Sequence, residues 1–589
     1  MTAPKLDFFS KIAFVAGGLS YAIFLLGHLG LLSWPYVLPA VVSAVLLIVY
    51  FSLKSYASNE PAVKRTLPEK ALVLLISLTV ISILGLAILP PSSRDELIQH
   101  LAVPKLYVMS QGIFEIKFMT FAYLPQNIDL LYAASLALGS DIVPKIMHLG
   151  FAVLTGLALH QYVSQYAGRT FGLLSMLMFL STPLVFNLSR LAYTDLGAAF
   201  FSTLAVMAAL KWRLDFSGKR LLYSAVLTGL AMGVKYNTLV SLFLLCVFVL
   251  FSRLRADKKA LPALGAGLLY FIVAFLVVSP WLIRNILWDK GPMFPLFDNA
   301  IKAASSGAGI HVTGEMAPVA KRLILYGEGL LDIALLPVRV FFEGSDNSIE
   351  RFDGVLNPFF LFFIPLAFIK RGYFKDKVYI GLYFLLFVVF TSFTIDIVAR
   401  YLLPAIPFVI ALVAIGLKNA LEKKWLREAS IAALVGLFAF NVFYAAGIYK
   451  RLSPFSYLTG GSDRAGYLKR VLPDYDAVSY ANTALPRDAR VMLLFTGERG
   501  YYWEREYFYG DRVGNYFKWL VKESYRDDVL LADKFKGIGI SHVFVNLKIL
   551  DEFAANNFAE GELDVLKRFF AGQSVMLYNS RGYSLYALK

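Results

Sequence analysis

The sequence predicts a polytopic α-helical membrane protein with a C-terminal soluble α/β domain. Ten long stretches have almost no Lys, Arg, Asp or Glu, and ALVLLISLTVISILGLAILP at 71–90 has none. An α-helix needs about 20 apolar residues to cross the hydrocarbon core of a bilayer, so each stretch is a predicted span. The tail from residue 449 onward differs, because short β-like runs alternate there with helix-like segments. The β-like runs are 491–495, 542–546, 574–579 and 583–588, and the helix-like segments include DDVLLADKFK at 527–536 and ELDVLKRFF at 562–570. That alternation is typical of a small α/β domain.

The charge of the chain is a topology signal. The 589 residues carry a formal net charge of +16, and the basic residues occur mainly in short loops between apolar stretches. Lys and Arg in such loops orient a membrane protein, so we exclude nucleic-acid binding. The single cysteine, Cys246, lies inside an apolar stretch. One cysteine excludes both an intrachain disulfide and a cysteine-based metal site.

Placing the basic loops in the cytoplasm gives about thirteen spans, a cytoplasmic N-terminus and an outer C-terminus. The predicted spans are 12–33, 36–53, 71–91, 143–163, 170–189, 195–211, 221–234, 237–253, 262–283, 357–369, 377–395, 401–417 and 428–448. Residues 1–448 would form the membrane domain and residues 449–589 the extracytoplasmic α/β domain. Two loops of the membrane domain would face outward, 92–142 with amphipathic helices and 284–356.

Two adjacent carboxylates begin the first outer loop. Asp95 and Glu96 follow a predicted span, and the apolar residues Leu97, Leu101 and Val108 after them have helical spacing. This spacing predicts an amphipathic helix on the bilayer surface. A carboxylate there could act as a general base toward an acceptor hydroxyl. The alternative is a structural role at the start of the helix, as an N-cap and acidic first turn.

A third carboxylate, Asp195, opens the predicted span 195–211. An ionised carboxylate near lipid costs several kcal/mol unless it is paired. Arg190 and a divalent metal ion are candidate partners.

Three cations stand at the same predicted face, Lys235, Arg284 and Arg400. Arg offers a planar fork of donors and Lys a point charge, so the group predicts a site for a phosphate. For each cation alone, the alternative is a side chain that extends to lipid headgroups.

The tail contains an aromatic segment, GERGYYWEREYFYGDR at 497–512. Tyr and Trp faces stack on sugars, which favours a role in binding an acceptor. The alternative is a packing surface.

Taken in order, several motifs resemble the GT-C superfamily of glycosyltransferases. The resemblance is strongest to the bacterial branch with the aminoarabinose transferase of lipid A and the protein O-mannosyltransferases. It extends over about 90–410. The matching pieces are DEL..H with PKLY (Asp95, Glu96, His100, Pro104 to Tyr107), TD at 194–195, GLAMGVKY at 229–236, PWLIRNILWDKGPMFP at 280–295 and RYLLPAIP at 400–407.

This resemblance implies a GT-C membrane bundle with a soluble outer domain, in the cytoplasmic membrane of a bacterium with that domain in the periplasm. It implies a polyprenyl-phosphate sugar as donor, a lipid, glycan or protein as acceptor, and inversion at the sugar. Asp95 would be the base, with Glu96 not excluded, and Asp195 the second acidic residue. Lys235 and Arg400 would lie near the lipid phosphate.

Four further residues of these motifs are substrate-binding candidates: His100, Tyr236, Arg284 and Tyr401. No cofactor is required by the sequence. The sequence leaves open whether a divalent cation, Mg or Mn, bridges Asp195 and the donor phosphate.

The chain departs from that branch in three places. Two extra spans precede the first outer loop, FAYLPQNIDLLY at 121–132 replaces the K-P-P signature of the aminoarabinose branch, and the tail differs from the mannosyltransferase sugar-binding module. Donor and acceptor identities are therefore not carried over. The alternatives are a polysaccharide ligase or polymerase with a polyprenyl-diphosphate donor, a lipid or solute transporter, and a non-catalytic assembly subunit.

Overall fold

The structure is a computed structural model that describes residues 4–57, 65–296, 317–394, 397–510 and 516–589. Residues 297–316 of the predicted outer loop 284–356 lie outside the described residues. The chain forms two compact units. The first comprises Met1–Leu89, Ser110–Ile113 and Leu124–Pro454, and the second comprises Pro90–Met109, Phe114–Tyr123 and Phe455–Lys589.

The first unit is a helical membrane bundle. Within the described ranges, nine helices are long and apolar enough to cross a membrane, and a bent pair would make a tenth. The nine are Asp7–His28, Trp34–Ser55, Leu67–Ala87, Val143–Ala167, Asp195–Asp215, Tyr236–Asp257, Ala260–Leu287, Phe374–Phe393 and Lys424–Leu452. The bent pair, Arg169–Ser181 and Pro183–Ser189, turns by 66°. Pro183 causes this bend, because its ring removes a donor and holds Thr182 in extended backbone.

The three remaining predicted spans correspond to shorter helices. They are Gly218–Met232, the pair Phe360–Phe363 and Pro365–Phe368, and Ile406–Leu421. The polytopic helical fold is confirmed, with nine or ten full-length spans among the described residues. Other helices of this unit are Asn127–Ala137, Pro318–Leu325, Leu330–Ala334 and Leu336–Arg339, with 3₁₀ turns at Tyr236–Thr238 and Ala399–Leu402.

Two glycines of GLAMGVKY allow close packing just before Lys235. A Cβ on Gly229 would lie 2.4 Å from the carbonyl oxygen of Ala274, and one on Gly233 would lie 2.1 Å from Nδ2 of Asn127. Both distances are too short for any side chain. The helix Gly218–Met232 therefore packs directly on Ala260–Leu287 and on the start of Asn127–Ala137, which fixes where the chain leaves the helix.

The second unit contains a five-stranded mixed sheet in the order β2-β1-β3-β5-β4. The strands are β1 (Arg490–Leu494), β2 (Glu506–Tyr509), β3 (His542–Asn546), β4 (Ser574–Ser580) and β5 (Tyr583–Leu588). β1 is parallel to β2 and β3, whereas β5 is antiparallel to β3 and β4. Arg581 and Gly582 turn the β4–β5 hairpin with positive φ at both positions.

Helices surround the sheet of the second unit. They are Ala102–Met109, Arg464–Val471, Tyr475–Ala484, Tyr516–Lys522, Asp528–Gly537, Leu547–Asn557 and Glu560–Arg568, with π-helical turns at Glu96–His100 and Phe569–Gln573. Apolar side chains of β1 and β3, such as Leu494 and Val545, pack with Phe517, Leu531 and Val565 of the helices. Four strands and two helices of this α/β domain coincide with predicted segments, which confirms it; β2 was not predicted.

Candidate active site

The site in the first unit is built on a buried ion pair. Asp195 is the first residue of the helix Asp195–Asp215 and is 1% exposed. Its Oδ1 accepts a hydrogen bond from Lys235 Nζ at 2.6 Å. Lys235 is in extended backbone between the helix Gly218–Met232 and the turn Tyr236–Thr238. The cation that pairs with Asp195 is thus Lys235, whereas Arg190, the expected partner, donates to Oδ1 of Asn187.

A buried histidine holds the start of the Asp195 helix. His148 Nε2 accepts the backbone N–H of Leu196 at 3.0 Å, and its Nδ1 lies 3.0 Å from the carbonyl oxygen of Leu188. This geometry fits a neutral imidazole with the proton on Nδ1. His148 thereby satisfies one free N–H of the helix terminus and orients Asp195. Sequence reasoning missed it, although a histidine inside an apolar span is a signal of a buried role.

Arg400 and Tyr401 complete the cluster from a third element. They belong to the turn Ala399–Leu402, which follows the helix Phe374–Thr394. The ring of Tyr401 lies 4.5 Å from Lys235 Nζ and 5.5 Å from the guanidinium of Arg400. Asn237 Nδ2 donates to the carbonyl oxygen of Tyr401 at 2.9 Å. Two cations and one carboxylate meet here, so the cluster carries a net positive charge suited to an anion.

Two buried polar atoms on the adjoining turn have no hydrogen-bond partner in the described protein. They are the hydroxyl of Tyr236 and Oδ1 of Asn237, and both residues are at most 8% exposed. A buried polar group without a partner costs about 1–3 kcal/mol. Such groups next to Lys235 are what a polar ligand would satisfy.

Arg284 is built differently from Lys235 and Arg400. It is 1% exposed and donates to Oδ1 of Asn285 at 2.9 Å, to Oε1 of Gln126 at 3.4 Å and to the carbonyl oxygen of Leu124 at 3.3 Å. Its guanidinium also lies 4.8 Å from the ring of Trp281 and 4.6 Å from that of Trp288. These contacts tie the end of the helix Ala260–Leu287 to residues 124–127. These hydrogen bonds and ring contacts give Arg284 a structural role at the end of this helix.

The residues predicted in the first outer loop belong to the second unit. Glu96 is fully buried, and its Oε2 accepts the backbone N–H groups of Ser92 and Ser93 at 3.1 and 2.9 Å. Asp95 is half-buried and makes no capping bond to the turn that it begins. The structural alternative for the carboxylate pair is thus realised by Glu96.

This segment also differs from one continuous amphipathic helix. A π-helical turn, Glu96–His100, precedes the helix Ala102–Met109, and His100, expected on the polar face, is 6% exposed. His100 Nε2 lies 3.4 Å from Nε2 of Gln99.

The structure gives Asp195 an ammonium partner, Lys235, rather than a set of metal ligands. Within the described ranges, no group of three or more His, Cys, Asp and Glu side chains is placed to hold a metal ion. The carboxylate of Asp195 contacts Lys235 instead. We derive no step through a metal.

Comparisons with known proteins agree with this architecture. A family model described as dolichyl-phosphate-mannose-protein mannosyltransferase matches residues 132–283, which contain Asp195 and Lys235. A sequence comparison with curated proteins finds no significant match.

Two solved structures of ArnT share the fold. ArnT from Cupriavidus metallidurans bound to undecaprenyl phosphate has a TM-score of 0.54 at 13% identity, covering 87% of this chain and 97% of that chain. Its apo state gives 0.52 at 12% identity, with the same coverage of 87% and 97%. The oligosaccharyltransferase AglB from Archaeoglobus fulgidus gives 0.46 at 12% identity, covering 88% and 74%. The predicted resemblance to the GT-C superfamily, in its ArnT and mannosyltransferase branch, is confirmed.

Proposed function

Because the chain has this fold and matches the mannosyltransferase family model, we propose that it is a membrane glycosyltransferase. It would move a sugar from a polyprenyl-phosphate donor to a lipid, glycan or protein acceptor, with inversion at the sugar. The reaction would take place at the outer face of a bacterial cytoplasmic membrane, with residues 449–589 outside. The ArnT structure that shares the fold contains undecaprenyl phosphate, which supports a polyprenyl-phosphate ligand.

One observation carries the proposal: a polar site and an apolar groove share the same three helices. Asp195 begins the first helix, Lys235 and Tyr236 immediately precede the second at Leu239–Asp257, and Arg400 follows the third at Phe374–Thr394. An apolar cavity of about 410 Å³ lies between these helices. It is lined by Val206 and Leu210, Leu244 and Phe248, and Tyr379 and Leu386.

The position of the cavity suits a long lipid. The lining residues of the helix Leu239–Asp257 run from Leu244 to Arg255. Leu244 is five residues beyond the start of this helix, and Arg255 is sixteen residues beyond it. At about 1.5 Å per residue, the groove extends from about 8 Å to about 24 Å below the polar site. A polyprenyl chain buried there would contribute about 0.8 kcal/mol per CH₂. A charged head site above an apolar groove matches a lipid phosphate better than a soluble sugar nucleotide.

The chemistry follows from the charges. The acceptor hydroxyl oxygen attacks the anomeric carbon, the bond from that carbon to the phosphate oxygen breaks, and the phosphate leaves with the electron pair. Arg400 and Lys235 would stabilise the charge that grows on the leaving phosphate, a contribution that is often the largest in such reactions. The Tyr236 hydroxyl, which has no partner in the described protein, would donate to the same group.

Asp95 is the candidate general base. It would take the proton of the acceptor hydroxyl as the new bond forms, which is typically worth about 10²–10⁴ in rate. Glu96 is the weaker candidate because its carboxylate already binds two backbone N–H groups.

The test is release of free polyprenyl phosphate from a panel of polyprenyl-phosphate sugars by the purified protein. We expect the wild type to release it from one donor and Asp95→Asn to abolish release. Glu96→Gln is the matched control, because its amide oxygen can still accept from Ser93, and it should stay much closer to wild type. No release from any donor by folded wild type would contradict the proposed function. Equal loss in both variants would contradict the assignment of Asp95.

A further inference from the structure

A second pocket lies entirely within the second unit. It has a volume of about 370 Å³, and its walls come from the helix Tyr475–Ala484, residues 501–504, Lys105 and Arg464. It differs from the groove of the first unit because polar groups dominate its lining.

One face of the helix Tyr475–Ala484 supplies four polar side chains to this pocket. Tyr475, Ser479, Asn482 and Thr483 have the spacing i, i+4, i+7 and i+8, which places them in one stripe. The buried stripe of the same helix is a different one, formed by Ala477, Val478 and Ala481. Packing of the helix on the domain core therefore does not explain the polar stripe.

The opposite wall is fixed by hydrogen bonds. Lys105 Nζ donates to the carbonyl oxygens of Tyr501 and Trp503 at 2.8 and 2.9 Å. Asn482 Nδ2 donates to the carbonyl oxygen of Tyr502 at 2.8 Å, and its Oδ1 accepts the backbone N–H of Glu504 at 2.9 Å. The pocket is thus formed before any ligand arrives, which lowers the entropic cost of binding.

Other side chains of the lining suit a ring with many hydroxyls. Tyr475 and Tyr502 pack edge to face at 5.4 Å, and their rings offer apolar faces to the C–H side of a sugar. Ser479 and Glu504 add hydroxyl and carboxylate groups that would exchange hydrogen bonds with sugar hydroxyls. The Thr483 hydroxyl donates to the carbonyl oxygen of Tyr480 at 2.9 Å, so toward a ligand it offers only an acceptor. The lining also carries two cations, Lys105 and Arg464, and one carboxylate, Glu504, and two carbonyl oxygens already accept hydrogen bonds from the Lys105 ammonium.

We propose that this pocket binds a carbohydrate, the glycan part of the acceptor. Its role as an acceptor site rests on the proposed function, whereas binding of the glycan itself does not. The pocket would then give the enzyme acceptor specificity from a part of the chain separate from the donor phosphate site.

The test uses purified full-length protein in detergent, labelled with a fluorophore, on printed arrays of mono- and oligosaccharides and of peptides. We expect the wild type to bind a subset of the glycans. Tyr475→Ala and Glu504→Gln should each raise the protein concentration needed for half-saturation about tenfold, because each removes a group that would contact the sugar. Tyr480→Ala is the matched control and should bind like wild type. It removes a ring from the same helix, but this ring stacks on Tyr578 at 4.5 Å outside the pocket.

Three results would overturn the proposal. They are no glycan bound by folded wild type, equal binding by wild type and Tyr475→Ala, and binding to peptides in place of glycans. Release of polyprenyl phosphate, measured separately on the wild type, distinguishes the two proposals. Glycan binding without release of polyprenyl phosphate would contradict the proposed function but support the glycan-binding pocket. Release of polyprenyl phosphate without glycan binding would contradict only the proposal for the pocket.

Discussion

Three cations of the first unit differ in their surroundings: Arg284 is enclosed by protein, whereas Lys235 and Arg400 are partly exposed. Arg284 is buried, its donors are used by neighbouring amide and carbonyl oxygens, and two tryptophan rings enclose it. Lys235 and Arg400 are partly exposed, face the same ring of Tyr401, and adjoin buried polar atoms that the described protein does not satisfy. In the sequence all three cations look alike. We assign ligand binding to the two more accessible cations and a structural role to the enclosed one.

The largest effect should come from Arg400. Arg400→Gln removes a charge that the account places beside the leaving phosphate, so we expect sugar transfer to fall about 10²–10³-fold. The thermal unfolding midpoint should change little because the Arg400 side chain is partly exposed. Donor-cleavage rates and melting curves of the purified protein measure both. A variant that melts far below wild type would place Arg400 with Arg284 as a structural cation.

Breaking the ion pair between Asp195 and Lys235 should lower the stability of the protein, and the loss should depend on which partner is replaced. The side chain of Asp195 is 1% exposed and that of Lys235 is 21% exposed. Lys235→Gln leaves a buried carboxylate without its lysine, so we expect a loss of about 3 kcal/mol. Asp195→Asn leaves a more exposed cation and should cost less. Denaturant unfolding of both variants tests this order, and the reverse order would mean that Lys235 is the more buried partner in the membrane.

Arg284→Gln should lower stability without a specific loss of chemistry. The shorter amide cannot reach the same acceptors or fill the space between the two tryptophan rings, so we expect a loss of about 2–3 kcal/mol. The rate of donor cleavage per folded molecule should stay close to wild type. A large fall in that rate at full stability would show that Arg284 shares one function with Lys235 and Arg400.

The smallest effect should come from a substitution of Tyr236. The informative observation is whether the substitution raises or lowers the stability of the ligand-free protein. Tyr236→Phe removes a buried hydroxyl that has no partner in the described protein, so the ligand-free protein should be unchanged or about 1 kcal/mol more stable. Donor binding should weaken. Tyr270→Phe is the matched control, because its hydroxyl contacts Ser224 and Thr228 at 2.9 and 2.6 Å. That variant should lose stability and keep donor binding, and the same behaviour in both variants would contradict a ligand role for Tyr236.

The fold could be predicted from the sequence where one physical pattern dominates. Hydropathy placed the span 428–448 inside the helix Lys424–Leu452, and strand-like runs such as 542–546 coincide with β3. The strand β2 is not predicted, because its residues, EYFY at 506–509, lie in the aromatic segment for which the two interpretations are acceptor binding and a packing surface. Their high β-propensity was the available signal.

The site could be predicted only in part, because contacts between distant residues decide it. The sequence brought Asp195, Lys235 and Arg400 to one predicted face, and the structure joins all three through the ion pair and the ring of Tyr401. It could not show that Arg284 is enclosed by residues about 160 positions away. Nor does the sequence show which of Asp95 and Glu96 is the better candidate base. That preference comes from the two backbone N–H groups that donate to the Glu96 carboxylate.

Binding of polyprenyl phosphate, with uncharged polyprenol as the paired ligand, tests the central claim most directly. Both lipids present the same chain to the apolar groove, so the difference in affinity reports the phosphate site alone. We expect wild type in nanodiscs to bind polyprenyl phosphate at least about tenfold more tightly than polyprenol. Arg400→Gln should remove most of this difference, and Arg284→Gln should keep it. Equal binding of the two lipids by wild type would contradict a lipid-phosphate site at Lys235 and Arg400.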